Sequence, residues 1–427
     1  MKQSKSTNHL KDKVRQNVNK RFKMFSTKIV PQLVEKKSDQ NFIQKMVSVL
    51  PYVQSTKLTN IAKALLPDDM SIQLHSMICY LSNHLKTIQT PLLQKLLLKD
   101  TVNKLKDKEF YLIIDTSSIE KKYADEFNKH GKSMQYLCHL WDNAQKKIVK
   151  GYYLLTVIAV IKKTHESLIL GSTIFSSNSP DFLSETNELK KLLNPIIAEL
   201  EHQNKLPYTV ICDSGYDDLK IFQYFEKQNL NFLIKYKNTR KFIPMDKQST
   251  NHKKTSYTIE QLFKENKEKH QIIYYTKQGK KRKTIGTYQK CWIHNDSTPI
   301  YVIIYYDMDK QSYAALLTTN SIRNKFDLQN CIYRYCNRWP IEEMFRYMKS
   351  IFHIEDFFVR SLQSINNLLL LIMLAINQLT KILIRKMKLK YAIFLLAKTN
   401  TKPNFQLYKI ASGLKESITI LPNESLC

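Results

Sequence analysis

The chain has 427 residues, 43% of them hydrophobic and 11% aromatic, which is enough apolar material for a large core and two or three domains. That composition excludes a disordered or fibrous protein. Its 67 Lys and Arg stand against 37 Asp and Glu, and the formal net charge of +30 points to a polyanionic partner, nucleic acid or an anionic membrane surface.

The longest uninterrupted apolar run, Leu368 to Ile376, is far short of the roughly 20 residues that cross a bilayer. The opening MKQSKSTNHLKDKVRQ has no apolar core of a secretory leader. Seven cysteines lie scattered with no CxxC pair, which argues against a zinc site and suits a reducing compartment.

Residues 1–105 read as helical and basic, with nine Lys or Arg between Lys2 and Lys28 against the single acid Asp12. Three amphipathic runs follow, NFIQKMVSVLPYV, TKLTNIAKALL and MSIQLHSMICYLSNHLKTI. Thr56 or Thr59 is placed to cap the second run, and Pro67-Asp68-Asp69 breaks it before the third. Two short helices joined by a tight break suggest a helix-turn-helix-like DNA reader; the alternative is a helical bundle whose basic face is only solvated.

At Phe110 the period changes, and residues 106–237 read as an α/β domain with a mixed sheet. FYLIID is a continuous apolar strand ending in Asp115, and KKIVKGYYLLTVIAVIK supplies one or two further strands with Gly151 at a bend or bulge. SETNELKKLLNPIIAELEHQ is helical, YTVICDSGYDD is a strand ending in Asp213, DLKIFQYFEKQ is a helix and NFLIKYK a strand. Residues 238–320 read as a β-rich insertion built from IIYYT, KCWIH, PIYVIIYY and SYAALLTTN. Residues 321–397 return to helices and complete the α/β domain, and residues 398–427 form a polar tail, at best partly ordered. LLLLIMLAI within that last helical part reads as a buried core helix.

A buried strand that ends in Asp sets a carboxylate on the rim of a sheet, and two such strands in so basic a chain suggest more than turn capping. Breaking or making a phosphodiester calls for hard divalent cations on oxygen ligands, so a third carboxylate is expected. Glu342, in YRYCNRWPIEEMFRYMKSIF, supplies it. On a helix turning about 100° per residue, Glu342 and Lys349 lie within about 20° of one another, and Tyr335 and Arg338 fall in the same sector of about 60°. Pro340 disfavours helical geometry at Trp339 and starts a new helix or a kink. Glu343 is about 100° round, on a solvent or salt-bridge face. Asp217 and Asp218 suit the first turn of the following helix, and His139, with no second histidine at metal spacing, reads as structural.

Tyr335, Arg338, Glu342 and Lys349 match the Y-(2)-R-(3)-E-(6)-K signature, and on these residues the chain resembles the DDE transposases of bacterial cut-and-paste insertion sequences. IIDTSSI and VICDSGYDD resemble the strands that carry the family's first two aspartates, and NRWPIEEMFRYMK is similar to its RW-x-IE block; the match spans roughly 110 to 380. The resemblance implies a ribonuclease-H-like core interrupted by the insertion. It implies two Mg²⁺ or Mn²⁺ ions on Asp115, Asp213 and Glu342, with water cutting the element's end and the freed 3′-hydroxyl attacking target DNA. Arg338 and Lys349 would grip phosphates and Tyr335 would hydrogen-bond the same backbone.

Some relatives hold a flipped base on an insertion aromatic; Trp292 is the candidate here, with a plain core role as the alternative. The run Lys280, Lys281, Arg282 and Lys283 is either a DNA contact or a solvated loop. Synapsis of two ends implies a homodimer on double-stranded DNA, in the bacterial cytoplasm at the nucleoid. Two competing functions use the same residues, a nuclease that cuts without joining and an inactive, transposase-derived DNA-binding protein.

Overall fold

The computed structural model describes residues 2–66, 73–122, 134–142, 145–203, 208–237, 240–245, 256–275, 280–293, 298–385, 387–397 and 405–418. Before residue 110 the described residues form the helices α1 (Lys2–Lys28), α2 (Val30–Leu33), α3 (Lys37–Val53), α4 (Leu58–Leu65), α5 (Leu74–Thr87) and α6 (Thr90–Val102). Then come β1 (Phe110–Glu120), β2 (Cys138–Asp142), β3 (Lys147–Ile161), β4 (Ser167–Phe175), α7 (Glu185–His202), β5 (Thr209–Cys212), α8 (Leu219–Lys227) and β6 (Asn231–Lys235). Next are β7 (Ile243–Pro244), α9 (Ile259–Glu265), β8 (His270–Tyr275), β9 (Lys281–Trp292), β10 (Ile300–Asp307) and β11 (Ser312–Thr318). The chain finishes with α10 (Lys325–Cys336), α11 (Pro340–Ile351), α12 (Leu362–Arg385), α13 (Met387–Leu396) and α14 (Leu407–Ile418).

These elements form two compact units. The first gathers residues 1–109, 116–204 and 343–427. Its central element is α12, long and apolar enough to cross a membrane by length and composition, yet 89% of its most apolar window is buried inside the protein. It serves as a core helix against which α3, α5, α6 and β4 pack. The N-terminal helices therefore share this core instead of closing one of their own. α1 joins them through a stripe of buried Val14, Val18, Phe22 and Phe25 at helical spacing, and packs on α3 and α14.

Polar side chains lock the same assembly. Asn377 of α12 accepts from the Ile169 N–H and donates to Thr101, and Asn367 donates to the Leu85 and Ile88 carbonyls at the end of α5. Asp100 of α6 is fully buried and ion-paired with Lys104 and Lys381. The expected caps Thr56 and Thr59 are not used: Lys57 precedes α4 with no side-chain cap, and Thr56 is buried and donates to the His353 carbonyl. The break at Pro67-Asp68-Asp69 lies outside the described residues. The tail, expected to be loosely ordered, holds α14, whose Gly413 lies against α13 so closely that a Cβ would stand 2.2 Å from the Ile393 carbonyl oxygen.

KKIVKGYYLLTVIAVIK forms one continuous strand, β3, antiparallel to β2 and β4, with its irregularity between Val157 and Ile158. Gly151 does not bend the strand. A Cβ there would lie 1.9 Å from the Ile119 carbonyl oxygen, so glycine permits close approach to the second half of β1.

The second unit contains residues 110–115 and 205–342. Within it the strand order is β1-β5-β6-β11-β10-β9-β7, with β8 also on β9. β1, β5 and β6 are parallel, in register at Ile114, Cys212 and Ile234; every later pairing is antiparallel. The strands between 243 and 318 thus extend the sheet through β11 on β6, which satisfies backbone groups that β6 would otherwise leave at an edge.

Candidate active site

Three chain segments deliver the site, and all three belong to the second unit. Asp115 follows Ile114, the last paired residue on the first half of β1, and Asp213 follows Cys212 at the end of the adjacent parallel strand β5. Both therefore stand at the carboxyl edge of the sheet. Asp213 begins a 3-10 turn, Ser214–Tyr216; its Oδ1 accepts from the Ser214 hydroxyl at 2.7 Å and the Gly215 N–H at 3.1 Å.

Glu342 arrives on α11. The RW-P segment breaks the helix: α10 ends at Cys336, Pro340 opens α11, and Arg338 between them donates its backbone N–H to the Tyr335 carbonyl. The single helix face drawn from sequence is thus two helices with a tight turn, as Pro340 dictates. Ile341, Met344, Phe345 and Met348 are buried at helical spacing, which fixes the rotation of α11.

Arg338 is the hub. Its Nη1 donates to Asp115 Oδ2 at 2.8 Å and its Nη2 pairs with Glu342 Oε1. Side-chain exposure is only 9% for Arg338, 17% for Asp115 and 22% for Glu342, so these charges meet largely out of water. The Tyr335 ring lies 6.0 Å from the guanidinium carbon.

Burial opposes the charge on Arg338, but Tyr335, Asp115, Glu342 and Asp213 together hold its pKa above the ordinary arginine value. Burial alone would raise the Asp213 carboxyl; the Ser214 hydroxyl, Arg338, the Gly215 N–H and Lys235 bring it below the usual carboxylate value. Burial pushes the Tyr335 phenol up, so it stays protonated and able to donate. The Cys212 thiol is likewise pushed well up, by burial first and then by Asp115.

Among the described residues no three of His, Cys, Asp and Glu stand together as a ready metal cage. Asp115 and Glu342 instead share a guanidinium. The donor set nevertheless fits a hard divalent cation, since every donor is a carboxylate oxygen and the pair already demands a cation.

Other expected residues fall elsewhere. Lys349 is seven residues along α11 from Glu342, about 10 Å up the axis, and forms a 3.0 Å ion pair with Glu355. Trp292 ends β9 opposite Ile243, part-buried, its indole Nε1 enclosed without a hydrogen-bond partner among the described residues. Lys281, Arg282 and Lys283 are not in a loop; they open β9, paired with Tyr275, Tyr274 and Ile273 of β8, and Arg282 binds Asp309 at 2.9 Å. Glu343 is buried and ion-paired with Arg346. Asp218 caps α8, whereas Asp217 is buried and holds Arg240 at 2.8 Å.

The family model of the transposase DDE domain matches residues 112–378, well over half of the chain. The chain belongs to the transposase DDE domain family. A search of curated proteins finds no match. Membership goes with a mixed sheet with helices and makes DNA the expected substrate of such a domain. Lys235 and Lys310 escaped the sequence reading. In NFLIKYK, Lys235 follows the apolar run as Asp115 follows FYLII and Asp213 follows YTVIC, and that parallel was the available signal.

Proposed function

We propose that this transposase-family chain cuts DNA at the ends of an insertion element and joins the freed ends to target DNA, on a ribonuclease-H-like core with a β-rich insertion and a helical, DNA-binding N-terminal part. The observation that carries the reading is the convergence of Asp115, Asp213 and Glu342, from segments about a hundred residues apart, around one buried arginine. Turn capping accounts for Asp213, which caps the 3-10 turn, but not for Asp115 and Glu342 meeting on Arg338 beside it.

Asp115, Asp213 and Glu342 would hold two Mg²⁺ or Mn²⁺ ions, which when bound supply Lewis-acid stabilisation of the attacking and leaving oxygens. Asp213 is kept ionised by Ser214, Gly215 and the cations around it, as a ligand must be. Among the described residues a Cβ on Gly215 would meet nothing within 4 Å, so none of them closes the approach to Asp213 on that side. Arg338 presents a planar fork that suits a phosphate as well as two carboxylates, and Tyr335 adds a protonated hydroxyl. Lys349 is assigned a phosphate farther along the strand, with Trp292 and the cations 280–283 as contacts from the β-rich part. A homodimer on double-stranded DNA, working in the bacterial cytoplasm, completes the proposal.

The test is cleavage of a labelled duplex carrying the element's end, with Mg²⁺, with EDTA, and with Glu342→Gln. Nicking at the end that disappears in EDTA and in the variant, while DNA binding persists, supports the reading. A wild-type chain that binds the end and never cuts it in Mg²⁺ or Mn²⁺ would point to an inactive DNA-binding protein.

A further inference from the structure

The parallel pairing of three adjacent strands stops at one level. The register Ile114–Cys212–Ile234 sets Asp115, Asp213 and Lys235 side by side across the carboxyl edge of β1, β5 and β6. Lys235 is half-buried and held in register opposite Leu316 of β11. Lys310, from the turn between β10 and β11, brings its ammonium group within hydrogen-bond reach of that of Lys235.

The turn is a fixed one. Asp307 Oδ1 accepts from the Asp309 and Lys310 N–H groups at 3.1 and 3.3 Å, and Arg282 anchors Asp309. Among the described residues neither lysine is in ion-pair contact with a carboxylate. Burial, Lys310 and Arg338 all lower the Lys235 pKa, and Asp213 alone works the other way.

Two ammonium groups in contact repel one another, and a long flexible lysine in open solvent would swing away. Here Lys235 is half-buried on a strand, and the exposed Lys310 reaches it from a turn whose backbone is braced. A tetrahedral oxyanion between them removes the repulsion and accepts from both. We propose that Lys235 and Lys310 form a phosphate clamp beside Asp213, which grips the DNA backbone at the phosphate next to the one that is cut. The clamp rests on the DNA-cutting reading given above. It lies outside the Tyr335, Arg338, Lys349 set and adds a contact from the β10–β11 turn.

The experiment measures binding of a fluorescent duplex of arbitrary sequence, in EDTA, over a range of salt, for the full chain and for Lys235→Ala, Lys310→Ala, the double variant and Lys310→Glu. Each phosphate charge neutralised contributes about −0.9 to the slope of log K against log salt, so the double variant is expected to bind with a slope less negative by roughly 0.9. Lys310→Glu, which gives Lys235 an intramolecular partner, is expected to weaken binding most while its Tm stays at or above that of wild type. That combination separates a DNA contact from a structural lysine, whose loss would lower Tm. A wild-type slope in the double variant, or a sharp loss of Tm in Lys310→Ala, overturns the clamp and leaves the transposase reading standing. Failure of the wild-type chain to bind duplex at any salt overturns both.

Discussion

Arg338 occupies the ground between Asp115 and Glu342, so a cation shared by those carboxylates must displace it. Replacing it with Gln removes two charge-assisted hydrogen bonds in a place where side chains are 9 to 22% exposed. Removing one partner of a largely buried ion pair costs about 3–5 kcal/mol, chiefly because the carboxylates left behind are desolvated without compensation. Taking about 3 kcal/mol for this partly wet pair, and about 2–4 °C per kcal/mol for a unit of this size, Arg338→Gln in EDTA should melt about 6–12 °C below wild type.

The same energy works in reverse when metal is added. In wild type an entering ion gives up about 3 kcal/mol of Arg338 pairing that the variant never had, which is on the order of a hundredfold in affinity. Mn²⁺ should therefore raise the variant's Tm more steeply than wild type and at lower concentration, until the two curves approach. Differential scanning fluorimetry in EDTA against a Mn²⁺ series reads this directly, with Mn²⁺ electron paramagnetic resonance for the free ion. Equal Tm values in EDTA together with equal Mn²⁺ responses would refute the reasoning.

Lys349→Ala should change stability by less than about 1 kcal/mol, since its pair with Glu355 is about a quarter exposed, yet should depress end cleavage if the lysine holds a phosphate. Gly151→Ala has no room beside Ile119 and should cost at least about 2 kcal/mol, seen as a lower Tm with any surviving activity unchanged in metal dependence. Lys121 is buried, donates to the Glu355 and Phe357 carbonyls, and has its pKa brought down to about 8 by desolvation. Its folded pKa lies below its unfolded value, so the unfolded chain binds the extra proton and the Lys121 contribution makes stability rise between about pH 8 and pH 10.5. Lysine-directed NMR should find it titrating near 8, and Lys121→Met should flatten that rise. Asp213 works at the acid end: its lowered pKa gives stability that is lost as pH falls below about 4, and Asp213→Asn should lose less there.

How much of this was legible depends on the reach of each signal. Short apolar runs ending in aspartate gave β5 and the first half of β1, because a buried parallel strand has a continuous pattern; that β1 runs on past Asp115 to Glu120, beyond its pairing with β5, was not legible. Glu342 was legible from spacing, yet the face shared with Tyr335 was drawn on one helix, and the interruption by Pro340 was resolved only by how Arg338 folds back through its own backbone N–H. The partnership of α3, α5 and α6 with α12 was not legible, since apolar stripes tell which face is buried and not against what. The same limit hid the β6–β11 pairing, because pattern does not reveal the neighbour of a strand. Gly151 looked like a bend because a glycine signals permissiveness without saying whether the backbone or its neighbour uses it. Lys235 was in plain view, but a strand-end lysine carries little weight until Lys310 is found against it.

The wide separation of β1, β5 and α11 along the chain has a consequence during synthesis. The two aspartates become neighbours only when β5, starting at Thr209, has left the ribosome, and the set closes only with α11, from Pro340. At about 5–20 residues per second, a nascent chain carries Asp115 for some tens of seconds before Glu342 follows it out. A product interrupted before α11 would lack Glu342 and also α12, the helix on which α3, α5, α6 and β4 pack, so neither the carboxylate set nor the core of the first unit could close.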